Sequence, residues 1–425
     1  MNKQLHTLRA LRSFLMLWAG QAISQLGSSV TAYALILWIY QQEGTATSLA
    51  MSSFFMHLPS IALCFIAGTL ADRWDKKKIM LISDALAALG TLTLFILYGM
   101  DTLSVWHLYL VNFILSCMAA FQNPASYVAV SLIAPKDQYA RVAGFYEISR
   151  ALVAIVAPAL GAIFMQLGGL KLVFSFDLIT FALGVSALIV TKIPRIEQAA
   201  EAARDTFWQS CLTGLKFFKN NRDLFSIVLF FAFINLLAYA TGYGVLPAMI
   251  LERTQNDQSA LGFVSSARGI GALIGSLLVT LLPPARKRGR AALLCCGMAF
   301  LLENFPLAIG RVVSVWCIGA ALGEFCLPYL NASLTSLMRE RVPIELQGRV
   351  FATRDTLQYI TIPIGLFAGG LLADHIFEPA AAGFPNWITA LVGNTPGSGM
   401  ALMALITGVI GTVTSFIMAN RRIYK

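Results

Sequence analysis

The chain has 425 residues, 57% of them apolar and only 12% charged. That is about half the charged fraction of a typical soluble domain, which excludes an ordinary water-soluble enzyme and points to a bilayer. The net charge of +10 and the seven cysteines each suggest an alternative, nucleic-acid binding or a disulfide or metal framework, and the order of the residues argues against both.

Crossing a bilayer as a helix takes ~20 predominantly apolar residues. Twelve such segments are expected in chain order, near 13–40, 46–70, 79–99, 104–133, 141–167, 170–191, 224–250, 259–282, 291–310, 313–337, 350–373 and 399–419. The first follows Arg9 and Arg12 but is too long for a signal-peptide core and lacks a small-residue cleavage site, so it is read as a span. Between the second and third lies a dense, mixed-sign knot, "GTLADRWDKKK" (Gly68 to Lys78). Residues 193–223 form the only long charged segment and divide the spans six and six. The expected organisation is therefore an N-terminal bundle (1–192), a linker (193–223) and a C-terminal bundle (224–425). Within the linker, Phe207, Cys211, Leu212, Leu215 and Phe218 fall on one helical face, which suits a helix lying on the membrane surface.

With a cytoplasmic N-terminus, 25 of the 31 basic residues fall on the inner side; Lys171, Arg253 and Arg311 fall outside and Arg150, Arg268 and Arg354 inside spans. This is the positive-inside pattern, with both termini cytoplasmic. The basicity is thus topological, and no nucleic-acid partner is expected. No cysteine has CxxC or Cys/His spacing, so no metal is expected. No nucleotide loop, nucleophile elbow or other catalytic motif appears, so neither enzyme activity nor a cofactor is expected.

The halves echo each other. Phe121-Gln-Asn-Pro124, Arg141-Val142 and Pro158-x-x-Gly161 are matched by Phe325-Cys-Leu-Pro328, Arg349-Val350 and Pro363-x-Gly365; Arg141/Arg349 and Glu147/Asp355 are both 208 positions apart. A repeat of half the chain implies two homologous six-helix bundles, with a substrate site near the bilayer midplane.

The knot resembles the G-x-x-x-D-R/K-x-G-R/K-R/K signature of the major facilitator superfamily, as Gly68, Asp72, Arg73, Asp75, Lys76 and Lys77. Asp75 stands where the signature has glycine, which puts the usual turn geometry in question. "WAGQAIS" (Trp18 to Ser24), "FQNPA" in the fourth span and "GRVF" (Gly348 to Phe351) are similar to the macrolide-efflux branch of drug:proton antiporters. The resemblance implies an all-α membrane fold of twelve helices in two pseudo-symmetric bundles, in a cytoplasmic membrane and as a monomer. It also implies that Asp72 and its neighbours latch the outward-open state. The fourth span lacks the arginine common in such antiporters, and their fifth-span motif survives only as Ala154-x-x-Ala157-Pro158-x-x-Gly161. Gly271/Gly275 and Gly365/Gly369 are read as close-packing positions.

Ionisable groups inside spans are costly and usually functional. Glu147/Arg150 and Arg354/Asp355 form candidate charge pairs, which either brace a gate or take part in coupling. Glu324 lies ~16 Å along its span with no adjacent cation. It is the first candidate for binding a proton or a substrate cation, with Glu303 next and Glu147 and Asp355 after; the other reading of Glu324 is a neutral, hydrogen-bonded core carboxyl. Asp84 and Asp177 lie close enough to an interface to reach headgroups or water. The family's cavity is lined by spans 1, 4, 7 and 10, so the cavity candidates are Gln21, Gln25, Asn112, Asn123, Asn235, Tyr239, Tyr243, Glu324 and Asn331. Their aromatic neighbours suit a bulky, partly apolar ligand.

The resulting expectation is a proton-coupled exporter of bulky amphipathic small molecules, with protons and membrane lipids as its other partners. A siderophore or lipid exporter or facilitator, a nutrient importer, and a non-transporting sensor on the same fold remain alternatives.

Overall fold

The computed structural model describes residues 12–133, 139–194, 207–281 and 285–421. The surroundings of Gly68 and the side chains of Asp72, Arg73 and Glu147 lie outside the described residues. Helices dominate: α1 (Arg12–Glu43), α2 (Ala46–Arg73), α3 (Lys76–Gly99), α4 (Val105–Ile133), α5 (Tyr139–Val190), α6 (Phe207–Asn220), α7 (Arg222–Gly242), α8 (Val245–Arg253), α9 (Gln258–Leu281), α10 (Arg288–Ile309), α11 (Val313–Arg341), α12 (Ile344–Tyr359), α13 (Thr361–Leu372), α14 (Asn386–Val392) and α15 (Ser398–Ala419). In lipid a helix satisfies its backbone hydrogen bonds internally, so apolar runs of this length have no other stable form.

Eleven helical stretches among the described residues are long and apolar enough to cross a membrane. Twelve were expected. The difference lies at 144–190, a single 47-residue apolar stretch. At ~1.5 Å per residue it would be ~70 Å long, more than twice a hydrocarbon core of ~30 Å. It is broken at Gly169, whose φ of 58° and ψ of −157° are not helical and lie where a Cβ is strained. The segments expected at 141–167 and 170–191 are the two limbs of this stretch, joined with no polar loop between them.

The chain forms two compact units, residues 1–39 with 55–202 and residues 40–54 with 203–425. In the first, Phe14, Leu17, Met80, Ala125, Ala129 and Leu188 bury one core. Gly184 lets its helix meet α1, since a Cβ there would lie 2.8 Å from Ser24 Cβ. After α2, Asp75 takes an extended conformation (φ −63°, ψ 117°) and its carboxylate accepts from the Lys78 N–H at 3.2 Å, capping α3. The conformation is not one that requires glycine, which answers the departure from the family signature. Lys77 Nζ donates to the carbonyls of Ile189 (2.7 Å) and Thr191 (2.8 Å), satisfying the open C-terminal end of α5.

In the second unit, Phe231, Leu293, Cys296, Leu330 and Leu334 belong to one core. Of the face expected on the membrane surface in α6, Phe218 is fully buried against Leu224, Val228, Met338, Val342 and Val350 and Leu215 is exposed, while the side chains of Phe207, Cys211 and Leu212 lie outside the described residues. Gly365 and Gly369 bring α13 onto α7, where Cβ atoms would lie 2.6 Å from Leu236 O and 2.7 Å from Ala240 Cα. Segment 40–54 is fastened into this unit by the Tyr40 hydroxyl on Glu252 and by Asp374. The Asp374 carboxylate accepts from the N–H groups of Ala46 (3.0 Å) and Thr47 (2.6 Å), capping the start of α2.

Candidate functional site

The site forms where α9, α10 and α11 meet. Gly271 and Gly275 remove the side chains that would separate α9 from α11: a Cβ at Gly271 would lie 2.7 Å from the Ala321 carbonyl carbon, and one at Gly275 3.1 Å from that of Phe325. One turn before Gly271, Arg268 therefore reaches both neighbouring helices. Its Nη2 donates to Glu303 Oε1 on α10, and its Nε lies 3.4 Å from Glu324 Oε1 on α11, an ion-pair distance without hydrogen-bond alignment. Room for the Glu303 carboxylate comes from Gly323, where a Cβ would stand 2.7 Å from Oε2.

These charges border a cavity of about 320 Å³ in the second unit. Asn235, Tyr239, Tyr243, Glu324 and Asn331, the five cavity candidates of the C-terminal half, all line it, together with Arg268, Glu303 and apolar side chains such as Phe231, Leu246 and Phe300. Tyr239 and Tyr243 stack with centroids 4.6 Å apart and planes 11° from parallel, presenting an aromatic wall. Asn235 Nδ2 donates to the Gln358 carbonyl at 3.0 Å, and Asn304 Nδ2 to Thr407 Oγ1 at 3.3 Å. The side chains of Arg268, Glu303 and Glu324 are 24%, 14% and 24% exposed. With all three ionised the cluster carries one excess negative charge, which one proton or one substrate cation would balance.

Glu324 therefore does have a cation beside it, supplied by a helix distant in sequence. Both leading carboxylate candidates, Glu324 and Glu303, share Arg268. Asp355 is placed elsewhere: Arg354 donates to its Oδ1 from Nε (2.8 Å) and Nη2 (2.7 Å), and the guanidinium sits 5.1 Å over the Phe351 ring. Arg150 is exposed, and the Glu147 side chain that would pair with it lies outside the described residues.

The cavity candidates of the N-terminal half, Gln21, Gln25, Asn112 and Asn123, lie in the first unit. Gln21 donates to Asp84 Oδ2 at 3.2 Å, and Gln122 to Oδ1 at 2.5 Å. Gln25 and Asn123 are exposed and Asn112 is half-buried. Asp84 and Asp177 do not reach headgroups or water as expected: they are 7% and 4% exposed. Asp177 accepts from Ser28 (3.2 Å) and Thr91 (2.9 Å). Polar residues scattered through apolar spans were the available signal for both cages, since buried polar groups must find partners.

The family model of the Major Facilitator Superfamily matches residues 17–365. This chain belongs to that superfamily. Macrolide efflux protein A of Streptococcus pyogenes is 26% identical over 367 residues, 85% of this chain and 90% of that protein. The multidrug efflux pump Tap of Mycobacterium tuberculosis is 26% identical over 381 residues, 85% of this chain and 87% of its own. Among solved structures, the nucleoside transporter NupG superposes with a TM-score of 0.69 at 14% identity, covering 96% of this chain and 99% of that one. A bacterial homologue of the iron transporter ferroportin gives 0.66 at 14% identity, covering 97% and 99%. At that identity the likeness is one of fold. The chain is accordingly a multi-pass membrane protein of that superfamily, helical throughout its spans among the described residues.

Proposed function

We propose that the protein is a proton-coupled exporter of bulky amphipathic small molecules, working by alternating access as a monomer in a cytoplasmic membrane with both termini inside. The observation that carries the reading is the Arg268–Glu303–Glu324 cluster in an apolar, aromatic-walled cavity. The names of the similar macrolide and multidrug efflux proteins support it. Two carboxylates around one guanidinium hold a proton when the cavity is empty, because leaving the extra charge unbalanced in a low-dielectric site is costly. A substrate cation entering the same cavity balances the charge instead and releases the proton. The tyrosine wall and apolar side chains take the rest of the molecule. Asp72 and its neighbours act as the latch of the inner gate.

The test is exchange in proteoliposomes at a fixed initial pH gradient. Adding a lipophilic amine such as a macrolide should dissipate that initial gradient, as read by an entrapped pH dye, beyond the passive loss in protein-free liposomes and in proportion to the drug the protein moves. Drug movement with no proton flux would favour an uncoupled facilitator, and no drug movement would favour a sensor.

A further inference from the structure

Asp177 lies in the first unit, on the second limb of α5, and is 4% exposed. Among the described residues no cation pairs with it, and its carboxylate faces the hydroxyls of Ser28, Thr31 and Thr91. Ser28 and Thr31 stand three residues apart on one face of α1, while Thr91 comes from α3. Gly27 lets α1 close on the second limb of α5, since a Cβ there would lie 3.0 Å from Asp177 Oδ1 and 3.1 Å from Thr180 Cβ.

The hydrogen bonds of this cage are incomplete. Ser28 Oγ donates to Oδ1 at 3.2 Å and Thr91 Oγ1 to Oδ2 at 2.9 Å, whereas Thr180 gives its hydroxyl to the main-chain carbonyl of Asp177 at 2.8 Å. Thr31 is 6% exposed, and its Oγ1 is buried beside the carboxyl without making a hydrogen bond. An orphaned hydroxyl and an unbalanced carboxylate are each costly inside an apolar span. A proton on one carboxyl oxygen reaches one hydroxyl, but a cation among these groups takes lone pairs from all of them. The neighbouring cage differs in kind: Asp84 is held by the amide nitrogens of Gln21 and Gln122, which donate to a carboxylate and do not ligate a cation.

The chemistry of the oxygens selects the ion. Two carboxylate and three hydroxyl oxygens from three helices form a hard ligand set with a single negative charge, which balances a monovalent ion and leaves a divalent one uncompensated. Oxygen ligands stand about 2.4 Å from a cation of calcium's size, which sodium shares, and hence about 3.4 Å from one another around an octahedron. The hydroxyl-to-carboxylate spacings of 2.9 and 3.2 Å open only slightly to reach this, whereas the larger potassium ion requires more. On binding, the hydroxyls turn their protons to carbonyls one turn back in their own helices. Ser28 is exposed and gives the cage a mouth.

We propose that Asp177, Ser28, Thr31 and Thr91 form a sodium-ion site that ties α1 and α3 to the second limb of α5. The site is separate from the Arg268 cavity and does not depend on the export reading.

The experiment uses the full chain in a neutral detergent, with radioactive sodium binding and thermal shift as readouts. Sodium, potassium and choline chloride are compared at constant ionic strength, up to about 0.15 M. Sodium is expected to bind saturably and raise Tm, with potassium and choline failing to compete. Asp177→Asn should abolish both effects. Thr31→Val, which keeps the shape and removes the orphaned oxygen, should weaken sodium binding about tenfold or more, the scale seen on losing even a supporting group around a metal. Thr93→Val, which removes an exposed hydroxyl of α3 bonded to its own helix, should bind sodium like the wild type. Absence of saturable sodium binding, equal binding of potassium, or wild-type binding by Asp177→Asn or Thr31→Val each overturn the proposal. Loss of binding in Glu324→Gln but not in Asp177→Asn places the ion in the other cavity and overturns it too. A Tm that follows pH through Asp177 but ignores sodium makes the group a protonated carboxyl instead. If Asp177→Asn does not fold, Thr31→Val and Ser28→Ala carry the test with the same outcomes.

Discussion

Arg268→Gln should be among the most damaging single changes in the C-terminal unit, and its effect should depend on Glu303. Arg268 Nε and Glu324 Oε1 are 3.4 Å apart, an attraction of about 5 kcal/mol at an effective dielectric of about 20. Desolvating three ions offsets much of that and of the closer Glu303 contact. Removing one partner of a buried pair nonetheless costs about 3–5 kcal/mol, because the other charge is left uncompensated. With the three side chains 14–24% exposed, the lower end applies, and ~3 kcal/mol corresponds to roughly 6–12 °C in Tm for a unit of this size. Thermal unfolding in detergent of Arg268→Gln, Glu303→Gln and the double variant completes the cycle. The double variant, whose site keeps one carboxyl and no guanidinium, should recover about 1–3 kcal/mol relative to the sum of the singles. A drop in Tm of under 2 °C for Arg268→Gln, or a cycle additive within about 0.5 kcal/mol, would refute the reasoning.

Asp75→Ala should lower stability by about 1 kcal/mol by removing the α3 cap, while Asp75→Gly, which restores the family residue, should cost only a few tenths; Tm measurements on the pair decide it. Asp374→Asn should weaken the cap on Ala46 and Thr47 by about 1 kcal/mol, raising hydrogen exchange at those two amides while leaving α10 unchanged. Gly271→Leu should force α9 off α11 and break the Arg268–Glu324 approach. Drug binding should then fall at least tenfold, roughly 1.4 kcal/mol, and unchanged affinity in equilibrium dialysis would show that the close approach is not needed.

Much of the fold was legible because a span announces itself by length and hydropathy alone. Gly169 shows the limit: two spans meet there with no polar loop between them, so composition marks the break only through a glycine pair flanked by Gln166 and Lys171. The cavity residues of the C-terminal half, Asn235 to Asn331, were legible as polar side chains in apolar helices. Their meeting with Arg268 was not, because it depends on the rotation and offset of three helices, set by where Gly271, Gly275 and Gly323 allow backbones to touch. Gln21 illustrates the converse. Its residue type pointed to ligand contact, and in the structure its amide donates to the buried Asp84. Asp75 broke a family pattern and so looked like a defect; the capping bond to Lys78 accounts for it locally.

The most direct test of the central claim is pH-gradient-driven export by Glu324→Gln in inside-out vesicles. Glutamine keeps the size and hydrogen bonding of the side chain, removes its proton, and leaves Glu303 to neutralise Arg268 alone. The account predicts that an uncharged drug still binds with near wild-type affinity while uphill export collapses at every gradient. Export at the wild-type rate, with the same dependence on the gradient, would contradict it.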